Sequence, residues 1–262
     1  MTLLLRQLGV AYAGATAVHA LDLTLAPEAR VVALVGANGA GKSSTLRAIA
    51  GLCAMSGQAW LDGENLAQLG MARRTRRVAY MPQSLPQATA LTVYESVLGT
   101  LRIACPQWSP AQAHQRIEAV LDDLGLAPLA LRALGSLSGG QRQMAGLAQL
   151  LARAPRLLLL DEPTSALDLR WQLCLLQALR KHVAAHGTLC IMAIHDLNLA
   201  ARFCDQMLLM AGGRLLASGT PGQVLTPELL GTAYGVQARV ETCSLGTPMV
   251  LAEQAIAISH PP

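Results

Sequence analysis

The amino-acid sequence predicts an α/β protein: a core with a parallel sheet, an antiparallel β edge and an inserted helical subdomain. Three observations predict it. Short apolar runs at Val31 to Val35, Leu157 to Leu160 and Leu189 to Ile194 have the length and two-sided burial of strands in a parallel sheet. A glycine-rich octapeptide follows the first run and opens a helix. From about Val93 to Leu151 no strand pattern occurs.

Taken in order, Leu3 to Tyr12 and Asp22 to Leu25 read as the antiparallel edge, with turns at Gly14 and Pro27. Val31 to Val35 leads through the glycine loop to a helix from about Gly41 to Ala50. Val78 to Met81 is a second short strand, and Gln206 to Met210 closes the series after Leu157 to Leu160 and Leu189 to Ile194, with helical patterns between the last three. In the middle, Val93 to Leu101, Pro110 to Leu124 and Ser138 to Leu151 read as helices, broken at Pro106, Gly125, Pro128 and Gly135. The expected division is a core of residues 1–90 and 152–235, a helical subdomain at about 91–151 and a C-terminal tail at 236–262. That tail has β character at Ala238 to Val240 and a loose end at Ser259 to Pro262. There is no internal repeat and no low-complexity segment.

The 262 residues suffice for one large domain or a domain with a sizeable subdomain. Apolar residues make up 52% and charged residues 14%, and the mean hydropathy is +0.38, yet no run approaches the ~18 apolar residues of a membrane span. The apolar excess fits docking against a partner, a large alanine- and leucine-rich core, or both. The start, Met1 to Arg6, lacks a signal peptide's basic lead and cleavage site, so the expected location is the cytosol. The six cysteines form no CxxC pair and read as plain thiols. The net charge is +4, but with only 3% aromatic residues to stack on bases, no nucleic-acid partner is expected. Arg73, Arg74, Arg76 and Arg77 form the one dense basic cluster and read as a solvated turn, with lipid-headgroup or partner contact as the alternative.

Gly36-Ala37-Asn38-Gly39-Ala40-Gly41-Lys42-Ser43 fits the pattern GxxxxGK(S/T) between a strand and a helix. Its glycines let backbone N–H groups wrap phosphate oxygens at a helix N-terminus. Lys42 is placed to reach the β- and γ-phosphates of a nucleotide, and Ser43 to bind Mg²⁺. Asp161 ends the Leu157 to Leu160 strand, where a carboxylate can hold Mg²⁺ through water. Glu162 is then the candidate general base for the attacking water, against the plainer reading of a surface acid at a strand end.

Leu137-Ser138-Gly139-Gly140-Gln141, upstream of Leu157-Leu158-Leu159-Leu160-Asp161-Glu162-Pro163, resembles the signature motif of the ATP-binding cassette (ABC) family. The resemblance covers nearly the whole chain. It implies the ABC ATPase fold, ATP and Mg²⁺ as cofactors, and a head-to-tail dimer in which Ser138, Gly139, Gly140 and Gln141 touch the nucleotide of a second copy. Gln83 matches the family's Q-loop, which senses Mg²⁺ and links ATP to the transmembrane partner. Asp168 matches the D-loop, His195 the switch histidine at the γ-phosphate, and Tyr12 the aromatic that stacks on adenine. Singly, each also reads as an ordinary loop, cap or strand residue. Ser44 stands where the family usually has threonine, and Met144 where arginine is more usual, which puts a local surface contact in doubt.

The runs Ser165 to Arg170, His195 to Arg202, Gly219-Thr220-Pro221, Leu225 to Leu230 and Tyr234-Gly235-Val236 are similar to importer ATPases for ferric siderophores, haem and vitamin B12. No physical feature of these residues encodes a cargo. The resemblance implies an ATPase bound peripherally at the cytoplasmic face of the inner membrane. Its partners would be two permease subunits and, indirectly, a periplasmic or extracellular substrate-binding protein. The alternatives are a cobalamin importer ATPase, a non-transport cytosolic ABC ATPase, and a regulatory module without turnover. Against the second stands the lack of a second cassette or a long coiled coil, and against the third the presence of both Glu162 and His195.

Overall fold

A computed structural model describes residues 2–84 and 90–256. In chain order the elements are β1 (Leu3–Tyr12), β2 (Ala15–Thr24), β3 (Val31–Val35), α1 (Lys42–Ala50), β4 (Ser56–Leu61), β5 (Glu64–Asn65), α2 (Met71–Arg77) and β6 (Val78–Met81). Then follow α3 (Val93–Ala104), α4 (Pro110–Asp123), α5 (Gly139–Ala152), β7 (Leu157–Asp161), α6 (Leu169–His186), β8 (Leu189–Ala193), α7 (Leu197–Phe203) and β9 (Gln206–Ala211). The chain closes with β10 (Arg214–Gly219), α8 (Pro221–Val224), α9 (Pro227–Tyr234), β11 (Val236–Thr242) and β12 (Pro248–Ala255). Two compact units result: Met1–Gln68 with Ile191–Pro262, and Leu69–Cys190.

In the first unit β3 pairs with β9 in parallel, and β9 pairs with β10 antiparallel. Just past β8, Ile194 donates its N–H to the carbonyl of Leu34 on β3. Every residue of β3 is buried, as an all-apolar strand in a parallel sheet requires. A four-stranded sheet of order β2-β1-β4-β5 forms the antiparallel edge. Its turns follow from sequence: Ala13-Gly14 and Asp62-Gly63 all have positive φ, the geometry of two-residue hairpins. A separate hairpin joins β11 and β12.

In the second unit β6 and β7 run parallel, and Leu189 at the start of β8 donates to the Arg156 carbonyl beside β7. The helices α3, α4 and α5 start at Thr92, Ser109 and Ser138, each in a reciprocal capping box with Glu95, Gln112 and Gln141. Their apolar faces bury Val97, Leu101, Ile117, Leu121, Leu147 and Leu151. Among the described residues no helix is long and apolar enough to cross a membrane.

Several expectations about the elements need correction. The second edge strand is not confined to Asp22 to Leu25: β2 begins at Ala15. Positive φ at Gln7 and Ala20 kinks both strands and shifts their register, which breaks the alternation that marks a strand in sequence. The Arg73 to Arg77 cluster is no turn but lies in α2, where Met, Ala and Arg are good helix formers. Arg153 donates to the Thr75 and Val78 carbonyls at its end. The tail holds a full hairpin rather than a short β segment, and Ser259 to Pro262 lie outside the described residues. The β4–β5 hairpin was missed, although Asp62-Gly63 signals it.

On α6, His182 and His186 stand one turn apart with their rings stacked at 4.1 Å. Burial lowers the His182 pKa from 6.5 to about 4, aided by the charges of His186 and Arg116 and opposed by Asp123, which Lys181 engages at 2.6 Å. The unfolded chain therefore takes up a proton below about pH 6.5 that the folded chain refuses until about pH 4. The stability this group contributes is complete above that window and lost as pH falls through it, by on the order of 2–3 kcal/mol. Urea midpoints at about pH 7 and about pH 5 should differ more for the wild-type chain than for His182→Gln.

Candidate functional site

In the first unit, β3 delivers the chain to Gly36 at φ 147°, and α1 begins after Gly41 at φ 97°. Only glycine fits either place. A Cβ at Gly36 would overlap the Met210 carbonyl oxygen, and one at Gly41 would stand 2.6 Å from that of Ala17. Asn38 and Gly39 form the exposed tip, closed by the Ala40 N–H donating to the Ala37 carbonyl at 3.2 Å. Lys42 is 5% exposed, and its Nζ donates to the carbonyls of Gly36 (2.7 Å) and Ala37 (3.0 Å). Ser43 and Ser44 lie half-buried in the first turn of α1, whose N-terminus favours an anion. Tyr12 ends β1 with 42% of its surface exposed. Beside that turn, Ala11, Thr16, Val18, His19 and Arg214 line a cleft of about 510 Å³. His195 is exposed between Ile194, tied to β3, and Asp196, which caps α7 by accepting from the Asn198 and Leu199 amides at 2.9 Å each.

In the second unit, Asp161 ends β7 with 1% exposure, and Tyr80 donates its hydroxyl to the Asp161 carboxylate at 2.9 Å. Glu162 follows at φ 51°, a left-handed backbone that costs a non-glycine residue free energy. The turn that holds it is well fastened. Ser165 donates to the Glu162 carbonyl, Gln143 of α5 to that of Pro163 (3.1 Å), and Gln172 of α6 to that of Thr164 (3.3 Å). Gln83 donates to the Glu162 carboxylate at 2.7 Å. At the start of α5, the Ser138 hydroxyl accepts from the Gln141 amide while the Gln141 side chain accepts from the Ser138 amide. Gly140 packs so tightly on the Trp171 indole that a Cβ there would overlap the ring. Asp168 caps α6 by accepting from the Trp171 amide at 2.9 Å.

Lys42, Ser43 and His195 thus share the first unit, and Gln83, Asp161, Glu162 and the Ser138 to Gln141 segment share the second. Each unit holds hard oxygen donors of the kind Mg²⁺ takes, the Ser43 hydroxyl in the first and the buried Asp161 carboxylate in the second. Among the described residues no cluster of three or more His, Cys, Asp or Glu side chains makes a metal cage by itself.

The family model described as "ABC transporter" matches residues 18–165, more than half of the chain. The chain belongs to the ABC transporter family. It is an ABC ATPase, binding ATP to power transport. It is 43% identical to the hemin import ATP-binding protein HmuV of Bordetella pertussis, over 92% of this chain and 94% of that one. It is 40% identical to the HmuV of Rhodopseudomonas palustris (strain CGA009), over 92% and 91%. Among solved structures it resembles, at 25% identity and a TM-score of 0.79, an inward-facing ABC transporter described as of the metal-chelate type, over 97% and 98%. The ATP-binding subunit of another ABC transporter superposes with a TM-score of 0.75 at 25% identity.

Several residues of this ABC ATPase escaped the sequence reading. Tyr80 on β6 and Asp161 on β7 are 81 positions apart and meet because the two strands are neighbours. Gln143 follows the signature run as in the family, but its bond to the Pro163 carbonyl is not visible in sequence, while Gln172 looks like a helix surface residue and Trp171 like any helix aromatic. Met144 is 2% exposed, so the departure from arginine falls in the core and not at a surface contact. Tyr80→Phe should leave the buried Asp161 carboxylate short of one donor, costing about 1–3 kcal/mol. Steady-state ATPase assays should then give a loss of roughly tenfold or more in kcat/KM for Mg-ATP, with an unchanged circular dichroism spectrum.

Proposed function

We propose that this chain is the ATP-hydrolysing subunit of a haem importer, acting as a head-to-tail pair bound to two permease subunits at the cytoplasmic face of the inner membrane. The likeness to hemin import ATP-binding proteins, 43% identical over almost the full length of both chains, carries this reading. Ferric-siderophore import is the neighbouring alternative, supported by the likeness to a metal-chelate type transporter.

In this reading each ATP lies between the phosphate loop of one copy and Ser138, Gly139, Gly140 and Gln141 of the other. Tyr12 stacks on the adenine. The Gly36, Asn38, Gly39 and Gly41 backbone cradles phosphate oxygens, and Lys42 turns from loop carbonyls to the β- and γ-phosphates. Ser43, Asp161 and Gln83 would hold Mg²⁺, which would neutralise phosphate charge. Ser44 assists at the loop. Glu162 accepts the proton of the attacking water, Gln83 reports the nucleotide to the permease, and His195 contacts the γ-phosphate. Asp168 faces the other copy. ATP contacts made only in the closed pair drive closure, which pulls on the permease, and hydrolysis resets it. A periplasmic or extracellular binding protein delivers the cargo.

Glu162→Gln keeps a hydrogen bond to water but cannot accept its proton. The variant should bind ATP, lose hydrolysis and elute as a dimer with Mg²⁺-ATP in size-exclusion chromatography; a monomeric or normally hydrolysing variant contradicts the assignment. Deleting the gene should abolish growth on haem as sole iron source and spare growth on ferric siderophores. The reverse pattern assigns the siderophore cargo, and no effect on either removes the iron reading.

A further inference from the structure

The C-terminal hairpin is fastened to the helix that follows His195. Asn198, the second residue of α7, accepts the Val250 N–H through Oδ1 at 2.8 Å and donates through Nδ2 to the Val250 carbonyl at 3.3 Å. Val250 stands opposite Val240 in the β11–β12 ladder, so both its backbone groups are turned away from β11. The Asn198 amide thus replaces a neighbouring strand at this point of the β12 edge. The first turn of α7 is capped by Asp196, the residue that directly follows His195 in the chain.

The opposite end of the same segment reaches the sheet that carries the phosphate loop. Tyr234, the last residue of α9, is half-buried, and α9 packs against β9, the parallel partner of the β3 strand that leads into that loop. Burial pushes the Tyr234 hydroxyl pKa up to about 12. Gly235 then turns the chain into β11, and its carbonyl accepts from Ile256 past the end of β12 at 2.7 Å, closing the hairpin at its base. One continuous segment therefore packs on the neighbour of the phosphate-loop strand at one end and holds the helix behind His195 at the other.

We propose that β11–β12 is a strap that fixes His195 relative to the phosphate loop, and that Asn198 is its positioning residue. This rests on the reading of His195 as a γ-phosphate contact. Asn198 touches no reacting atom. It holds the first turn of α7 against a strand whose base is anchored at Tyr234, so the one-residue link at His195 inherits a fixed origin. Asn198 is exposed, and truncating it empties no core. Proline at Val250 deletes the same N–H from the outward edge of β12, where a proline is tolerated.

The test uses the full-length chain and measures kcat and KM for Mg-ATP in Asn198→Ala, Val250→Pro, His195→Ala and the Asn198→Ala/His195→Ala double variant. The strap predicts that Asn198→Ala and Val250→Pro each lower kcat roughly tenfold, about 1.4 kcal/mol of positioning, with KM within about twofold. It predicts no further loss when Asn198→Ala is added to His195→Ala, because the two act as one unit. If His195→Ala leaves kcat intact, the γ-phosphate reading falls and the strap with it. If His195→Ala lowers kcat while Asn198→Ala and Val250→Pro do not, the strap alone is overturned. Losses that multiply in the double variant overturn it equally.

Discussion

The buried ammonium of Lys42 is the interaction on which the first unit is organised. A lysine with 5% exposure needs acceptors, since an unpaired charge away from water is costly. The loop supplies two carbonyls, from Gly36 and Ala37, and to aim them inward it must turn through conformations open to glycine. The loop leads directly into the N-terminus of α1, whose free N–H groups favour an anion. A loop that satisfies its own lysine with carbonyls is thereby shaped for an anion.

A second constraint recurs in both units: helix starts must find acceptors for their free N–H groups. Ser138, Asp168 and Asp196 each accept from the first turn of the helix they open. These positions belong to the motifs that carry the family likeness, so their residue types satisfy local folding as well as chemistry. The left-handed backbone of Glu162 is a different case. Local preference opposes it, and three side-chain hydrogen bonds from Ser165, Gln143 and Gln172 to the carbonyls of the turn hold it in place. The turn therefore depends on α5 and α6 being packed, which ties the acid to the helix that begins with Ser138.

Much of the architecture was legible because its signals are local. Short apolar runs marked β3, β7 and β8; the lack of a strand pattern, with proline and glycine breaks, marked α3, α4 and α5. Where the local signal was interrupted, the reading failed. Kinks at Gln7 and Ala20 hid the first half of β2, and a run of arginines hid α2 behind its charge. The candidate site divides the same way. Lys42, Ser43, Asp161 and Glu162 lie in contiguous motifs, whereas Tyr80, Gln143, Trp171 and Asn198 act through partners remote in sequence.

The sequence by itself determined which residues can do chemistry and the order of elements that carries them. Glycine spacing, strand-end carboxylates and helix caps are properties of neighbours along the chain. Only the tertiary structure decided what holds those residues in place: the Tyr80 hydroxyl on Asp161, the Gln83 amide on Glu162, the indole under Gly140 and the Asn198 grip on Val250. Each joins positions separated by 31 to 81 residues in the chain, and such pairings come into being only when strands and helices pack. A hydrogen bond or ring contact reaches a few ångströms, and sequence carries no record of which distant residue will come within that range.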